Sequence, residues 1–278
     1  MTPVQNPFST ERAERKAGVK LQKEKSKSDK SEPVDETRIT HALFFAGNVY
    51  DSFSDLVNPV IDAAAVSMEL EENYNVSTEV IENPDLNDIM KKLREYASAE
   101  YSEGDNLLIY FAGHGDFDEV FQEGYVIASD SKMDDPAKTS YLSHSNMRTI
   151  VNNIPCNHIF LVMDVCFGGT FDPLVVSTHR GADLYAEVSP DEFVDRKLKY
   201  KTRLYLTSGG KEYVPDGRPG HHSPFTRKFL EALRQYGGSD KILTVHEVLQ
   251  FLDKVEPQPR FGEFGDNEPG SDFILIAR

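Results

Sequence analysis

Tyr110-Phe-Ala-Gly-His-Gly115 and Met163-Asp-Val-Cys-Phe-Gly-Gly169 are the two stretches whose reading decides the fold of this 278-residue chain. Each completes a run of large apolar residues, Asn106-Leu-Leu-Ile-Tyr-Phe-Ala112 in the first case and His158-Ile-Phe-Leu-Val-Met163 in the second. Continuous apolar runs of this length suit parallel strands buried on both faces. Neighbouring strands lie about 4.8 Å apart, and open α/β sheets gather their ligands at the carboxyl ends of the strands. With the two strands as neighbours, His114 and Cys166, which lie 52 residues apart, emerge side by side on that edge. A catalytic cysteine needs such an imidazole, because a thiol with a reference pKa of about 8.5 is weakly ionised at neutral pH. The flanking glycines permit tight turns and close substrate approach. The backbone N–H groups of Gly115 and Cys166 are the candidate oxyanion donors.

The rest of the chain alternates strand and helix signals around these runs. His41 to Ala46 predicts a first strand and Val76 to Ile81 a second, with helical spacing between them from Asp55 to Tyr74 through Val60, Ala64, Met68 and Leu70. Asn83-Pro84 is a turn with a proline suited to the first position of a helix, so a second helix is expected after it. A short hairpin is expected at Gly124 to Ala128, and a helix from Leu142 to Ile154 before the strand that ends at Cys166. Asp172 to Lys201 is polar with few strand or helix signals, which predicts a mobile loop. Arg203 to Thr207 resumes a buried strand, Phe225 to Tyr236 and Val245 to Val255 are amphipathic helices, and Phe273 to Ala277 closes the chain as a strand. Such alternation implies a mostly parallel sheet covered by helices on both sides, within one large domain.

Residues 1–36 stand outside that pattern. They are polar, lack hydrophobic periodicity and hold eight Lys or Arg against five acidic residues through Glu32, which predicts a disordered basic tail. The whole chain carries a formal net charge of −16, so its body, residues 37–278, is strongly acidic. That balance speaks against nucleic acid as a general partner and favours cationic targets. No apolar stretch approaches 18 residues and no signal-peptide core is present, so neither a membrane span nor export is expected. Cys156 and Cys166 do not make a secreted disulfide framework, and a reducing cytoplasm is the expected location. Cys156, after Pro155, reads as structural.

Together with Leu206-Thr-Ser-Gly-Gly210 and His222-Ser-Pro-Phe-Thr226, the two motifs and the hairpin between them resemble the caspase-like cysteine peptidases. The likeness runs from about residue 40 to residue 278. It implies a three-layer α/β/α sandwich around a roughly six-stranded, mostly parallel sheet, with His114 as acid and base and Cys166 as nucleophile. Caspases carry the His about 50 residues before the Cys. Val165 and Phe167 replace the Ala and the Arg or Gln of strict animal caspases, so the chain looks more like metacaspases and bacterial caspase-like proteins.

That departure bears on the substrate. Aspartate-specific caspases hold the carboxylate of P1, the residue before the cut, on arginines, one of them shortly before the first long helix. Asp55-Leu-Val-Asn-Pro-Val-Ile-Asp62 offers no Arg or Lys there. Metacaspases receive a P1 Arg or Lys on two acids, and the matching positions are Asp62 and Asp164. Two converging carboxylates pair with a guanidinium or ammonium and repel an acidic side chain. Tyr205-Leu-Thr-Ser-Gly-Gly210 resembles the strand whose exposed end pairs with the substrate backbone, through Ser208 and Gly209. The resemblance thus implies an endopeptidase cutting proteins after Arg or Lys, in a pathway such as bacterial defence or cell death.

Arg180, Arg196, Lys197, Lys199 and Lys201 lie in the stretch matching the family's interdomain loop. Self-cleavage or an activating protease would act there, and an uncut flexible loop is the equal alternative. Many metacaspases bind calcium on clustered Asp. Asp130 and Asp172 fall near those positions, Thr139-Ser140 replaces the paired acids, and Asp134 and Asp135 are the available substitutes, so the site reads as incomplete and no cofactor is expected. The other seven histidines show no metal-ligand spacing. Two rivals stay open. One is a catalytically silent scaffold that binds a partner in the same groove; the other is a nucleotide binder, for which Ala46-Gly-Asn-Val-Tyr-Asp51 lacks the glycine spacing.

Overall fold

The computed structural model describes residues 38–166, 168, 171, 189–210 and 214–278, so the tail expected over residues 1–36 lies outside the described residues. The elements follow the order β1 (Thr40–Ala46), α1 (Pro59–Tyr74), β2 (Val76–Glu82), α2 (Leu86–Ala97), β3 (Asn106–Gly113), β4 (Gly115–Asp118), β5 (Glu123–Val126) and β6 (Leu142–Ser143). There follow α3 (His144–Asn152), β7 (His158–Val165), α4 (Pro190–Leu198), β8 (Thr202–Thr207), α5 (Pro224–Leu233), β9 (Ile242–Thr244), α6 (Val245–Leu252), β10 (Arg260–Glu263) and β11 (Ile274–Ile276).

The main sheet has six strands in the order β10-β8-β7-β3-β1-β2. β8, β7, β3, β1 and β2 run parallel, and β10 is antiparallel at one edge. The two motif strands are neighbours at its centre, and their register pairs Asn106 with His158 through to Gly113 with Val165. Register and sequence spacing coincide: each residue of β3 faces the residue 52 positions later, so His114 and Cys166 are the next pair past the strand ends.

Side chains alternate across these strands, and each face collects its own core. Phe44, Leu108, Tyr110, Phe160, Val162 and Leu206 face one way and pack under α1, α5 and α6. Leu43, Phe45, Ile109, Phe111, Leu161 and Met163 face the other way and pack under α2 and α3. Burying such side chains contributes about 1.5–3 kcal/mol each, and the expected three-layer α/β/α sandwich results. Arg203 ties the layers at one edge: fully buried, its guanidinium donates to the carbonyls of Asn157 (3.0 Å), Thr202 (2.8 Å) and Ile154 (3.2 Å) beyond the end of α3.

Several boundaries differ from expectation for identifiable reasons. α1 starts at Pro59 rather than Asp55, because Asn58 is its N-cap and Pro59 fits the first position. Its buried face is Asp62, Ala63, Val66 and Leu70, whereas Ala64 and Met68 are exposed. That phase turns Asp62 inward. At α2 the proline precedes the cap, and Asp85 with Asp88 forms a capping box. Leu142 to Ile154 divides into β6, pairing with β5, and the shorter α3. The closing strand β11 pairs with β9 outside the main sheet, whose sixth strand is the unanticipated β10.

Asp172 to Lys201 is not one loop. Residues 172–188 lie outside the described residues, but α4 occupies Pro190–Leu198 with Ser189 as its cap. Arg196 pairs with Glu192 at 2.6 Å, Lys197 with Asp272 at 3.5 Å and Lys201 with Asp266 at 2.5 Å. A peptidase takes its substrate extended, so residues on or tethered beside a helix are poor processing sites. Arg180 lies outside the described residues.

Candidate active site

β3 ends on Gly113, whose φ of +155° favours glycine, and a Cβ there would lie 2.5 Å from the Tyr50 hydroxyl. The chain then delivers His114. Its backbone N–H donates to the Tyr50 hydroxyl at 3.0 Å, and its Nε2 lies 2.7 Å from the Ser54 carbonyl oxygen. A carbonyl only accepts, so Nε2 is the donor in this contact. The rings of Tyr50 and Phe53 flank the imidazole, with centroids at 4.7 and 6.0 Å. Gly115 follows so close to Cys166 that a Cβ would overlap the Cys166 carbonyl, which seats the start of β4 directly against the Cys166 backbone.

Cys166 emerges half-buried at the end of β7. Its sulfur accepts the Val214 N–H at 3.4 Å and faces the Val214 carbonyl at 3.7 Å. Burial pushes the thiol above its ordinary pKa, the Val214 N–H partly opposing. His114 and Cys166 line one small cavity of about 40 Å³ together with Asp62, Asp164, Val214, Asp216 and Ser223.

The two expected acids do converge. Asp164 points from β7 to the α1–α5 side, where Ser223 and Thr226 donate their hydroxyls to it, the latter at 3.1 Å. Tyr110 in turn donates to Thr226 at 2.7 Å. Burial pushes the Asp164 carboxyl up to about 6, opposed by the Ser223 hydroxyl and reinforced by the charge of Asp62. Asp62 is raised too, again chiefly by burial. It accepts the Ser223 N–H at 3.0 Å and lies 2.6 Å from His222 Nδ1. Ser223 thus braces both carboxylates while its oxygen caps α5 by accepting the Thr226 N–H at 2.9 Å.

Sequence reading missed the residues that enclose this cavity. Asp216 accepts the Val57 N–H at 2.7 Å and the Asn58 N–H at 3.3 Å. The buried Asn58 donates to the carbonyls of Asp216 (2.6 Å) and Arg218 (3.1 Å) and accepts the Gly220 N–H at 3.1 Å. This reciprocal clamp fixes the segment from Asp216 to Gly220, which follows Val214, to the start of α1. The dipeptides Asn58-Pro59 and Ser223-Pro224 signal helix starts, yet nothing in their spacing announces these partners. Asn58→Ala is expected to cost about 1–3 kcal/mol and to speed alkylation of Cys166 by iodoacetamide several-fold as Val214 is freed. Urea melts and alkylation rates check this, and an unchanged rate would show that the clamp does not hold the cover.

Ser208 and Gly209 do not present an exposed strand end. Both are buried, the Ser208 N–H is committed to Met163 O at 3.0 Å, and Gly209 is walled by Val214 and Pro257. Of the carboxylates matched to a calcium site, Asp130 accepts the Leu86 N–H at 2.9 Å, Asp135 accepts Ser140 N–H and Oγ–H at 2.8 and 2.9 Å, and Asp172 lies outside the described residues. Among the described residues no three His, Cys, Asp or Glu are grouped to hold a metal.

A family model described as the caspase domain matches residues 39–258. The chain belongs to the caspase-domain family, whose members have a cysteine peptidase fold. Among solved structures it is similar to caspase-1 from Spodoptera frugiperda, with a TM-score of 0.55 and 17% identity over 84% of this chain and 93% of that one. No curated protein matches. Among the described residues no helix is long and apolar enough to cross a membrane.

Proposed function

We propose that this protein is a cysteine endopeptidase that cleaves after Arg or Lys with His114 and Cys166 as its dyad. One observation carries the reading: the register of β3 and β7 sets these two residues opposite one another, beside a cavity whose floor is two buried carboxylates. His114 Nδ1 takes the proton from Cys166 Sγ as sulfur attacks the scissile carbonyl carbon. The resulting oxyanion is held by the N–H groups of Gly115 and Cys166. Nδ1–H then protonates the leaving amine as the C–N bond breaks, which leaves a thioester. Water, deprotonated by the same nitrogen, attacks that thioester, and the returned proton restores the thiol. Asp62 and Asp164 receive the cationic P1 side chain, and the end of β8 at Ser208 and Gly209 aligns the substrate backbone once Val214 withdraws.

A panel of peptides differing only at P1 tests this. Arg and Lys peptides are expected to be cut and the Asp peptide ignored; the reverse order would sink the assignment. The cover over Cys166 favours a second reading, a catalytically silent scaffold. A peptidyl-Arg electrophile separates the two. The enzyme is labelled at Cys166 and loses labelling in His114→Ala, whereas a scaffold is labelled in neither protein.

A further inference from the structure

We propose that Tyr50 is the positioning residue of the dyad, its hydroxyl fixing the main chain of His114 and its ring fixing the plane of the imidazole. The inference rests on the reading of His114 as the base. The phenol oxygen accepts the His114 N–H at 3.0 Å and donates to the Gly47 carbonyl at 3.0 Å, so it pins the end of β3 to the end of β1. Room has been kept for it on both sides, because a Cβ at Gly47 would overlap the hydroxyl and one at Gly113 would lie 2.5 Å from it. Its ring stands 4.7 Å from the imidazole, and burial pushes the phenol up to about 12, so the group remains a neutral donor and acceptor.

The phenol is itself held. The Tyr50 N–H donates to Asp55 at 3.2 Å, Asp51 N–H to the Ser129 carbonyl at 2.9 Å, and Leu56 N–H to the Asn48 carbonyl at 2.9 Å. The same short loop carries Ser54, whose carbonyl meets the far end of the imidazole at Nε2. One loop therefore grips His114 at its main chain, its ring face and its distal nitrogen. Nδ1 is the ring nitrogen not used in the Ser54 contact, and in the proposed mechanism it serves Cys166. A tyrosine serving only to fill the core has no need to place its hydroxyl on the residue that moves the proton.

Tyr50→Phe in the full chain tests this, because it keeps the ring and removes only the hydroxyl. On an Arg-P1 peptide, kcat is expected to fall about tenfold with KM within about twofold, the pattern of an interaction made for the transition state. Iodoacetamide should modify Cys166 more slowly at pH 7, where the imidazole assists ionisation, and at the wild-type rate at pH 10, where hydroxide suffices. Gly47→Ala, which crowds the hydroxyl while keeping it, should give the same split, and it decides the matter if Tyr50→Phe does not fold. Wild-type kcat in Tyr50→Phe beside an inactive His114→Ala overturns the role of Tyr50 alone, and so does slowing at both pH values. An active His114→Ala overturns the dyad and this inference with it.

Discussion

Replacing Cys166 by Ala is expected to reduce turnover of an Arg-P1 peptide by roughly 10⁴-fold or more, with little change in the thermal midpoint. The sulfur sits half-buried at a strand end, where it accepts the Val214 N–H, so its loss is expected to leave the packing of β7 intact. His114→Ala removes the proton acceptor but leaves the thiol, and should cost roughly 10²–10⁴-fold. The double variant should be no worse than Cys166→Ala, because residues that act as a unit are not additive. Steady-state rates alongside melting curves give the answer. Hydrolysis surviving in Cys166→Ala would place the chemistry elsewhere.

Asp164→Asn should affect stability and specificity in opposite directions. The wild-type carboxyl is pushed up to about 6 by burial, above the about 3.9 expected of an unfolded chain. A group whose folded pKa is raised stabilises the fold below the unfolded value, and that contribution disappears as pH rises through the folded value. The shift of about two units corresponds to about 3 kcal/mol that wild type lacks at pH 8 relative to pH 4. Asn does not ionise, so urea melts should find the variant more stable than wild type at pH 8, with the gap closing by pH 4. Its kcat/KM on Arg-P1 peptides should meanwhile fall roughly 10²–10³-fold, as expected when one partner of a buried charge pair is removed. Wild type should also lose affinity for these peptides as pH drops below about 6, where Asp164 takes up its proton. A variant that gained stability and kept its preference for Arg would exonerate Asp164 as a P1 ligand.

The core of the fold was legible because β3 and β7 are buried on both faces and therefore spell unbroken apolar runs. Their equal lengths made a separation of 52 residues visible as a register. α4 was missed although its signals are present: Ser189 and Pro190 at the start, Asp191 and Glu192 in the first turn, Arg196 and Lys197 in the last. Only Val194 of that helix is buried, so it lacks the apolar stripe by which helices are usually found. β10 is four residues long at a sheet edge, and its Gly262 leaves the space taken by the Tyr205 ring. Short edge strands say little in sequence. The partners of the two carboxylates were beyond reach for a different reason: His222 and Ser223 sit about 160 residues from Asp62 and meet it only through the packing of α5 against α1.

Val214, Pro215 and Asp216 form one wall of the cavity that holds Asp62 and Asp164, and the first of them also screens the Cys166 sulfur. Under the proposed function, a P1 side chain that reaches those carboxylates passes beside the Val214 backbone that bonds the Cys166 sulfur. On that reading, recognition and reactivity meet at one short segment. A poorly matched substrate loses turnover as well as affinity, because it fails to assemble the catalytic state it would use. Asn58→Ala, which loosens that segment, is then expected to trade discrimination for speed.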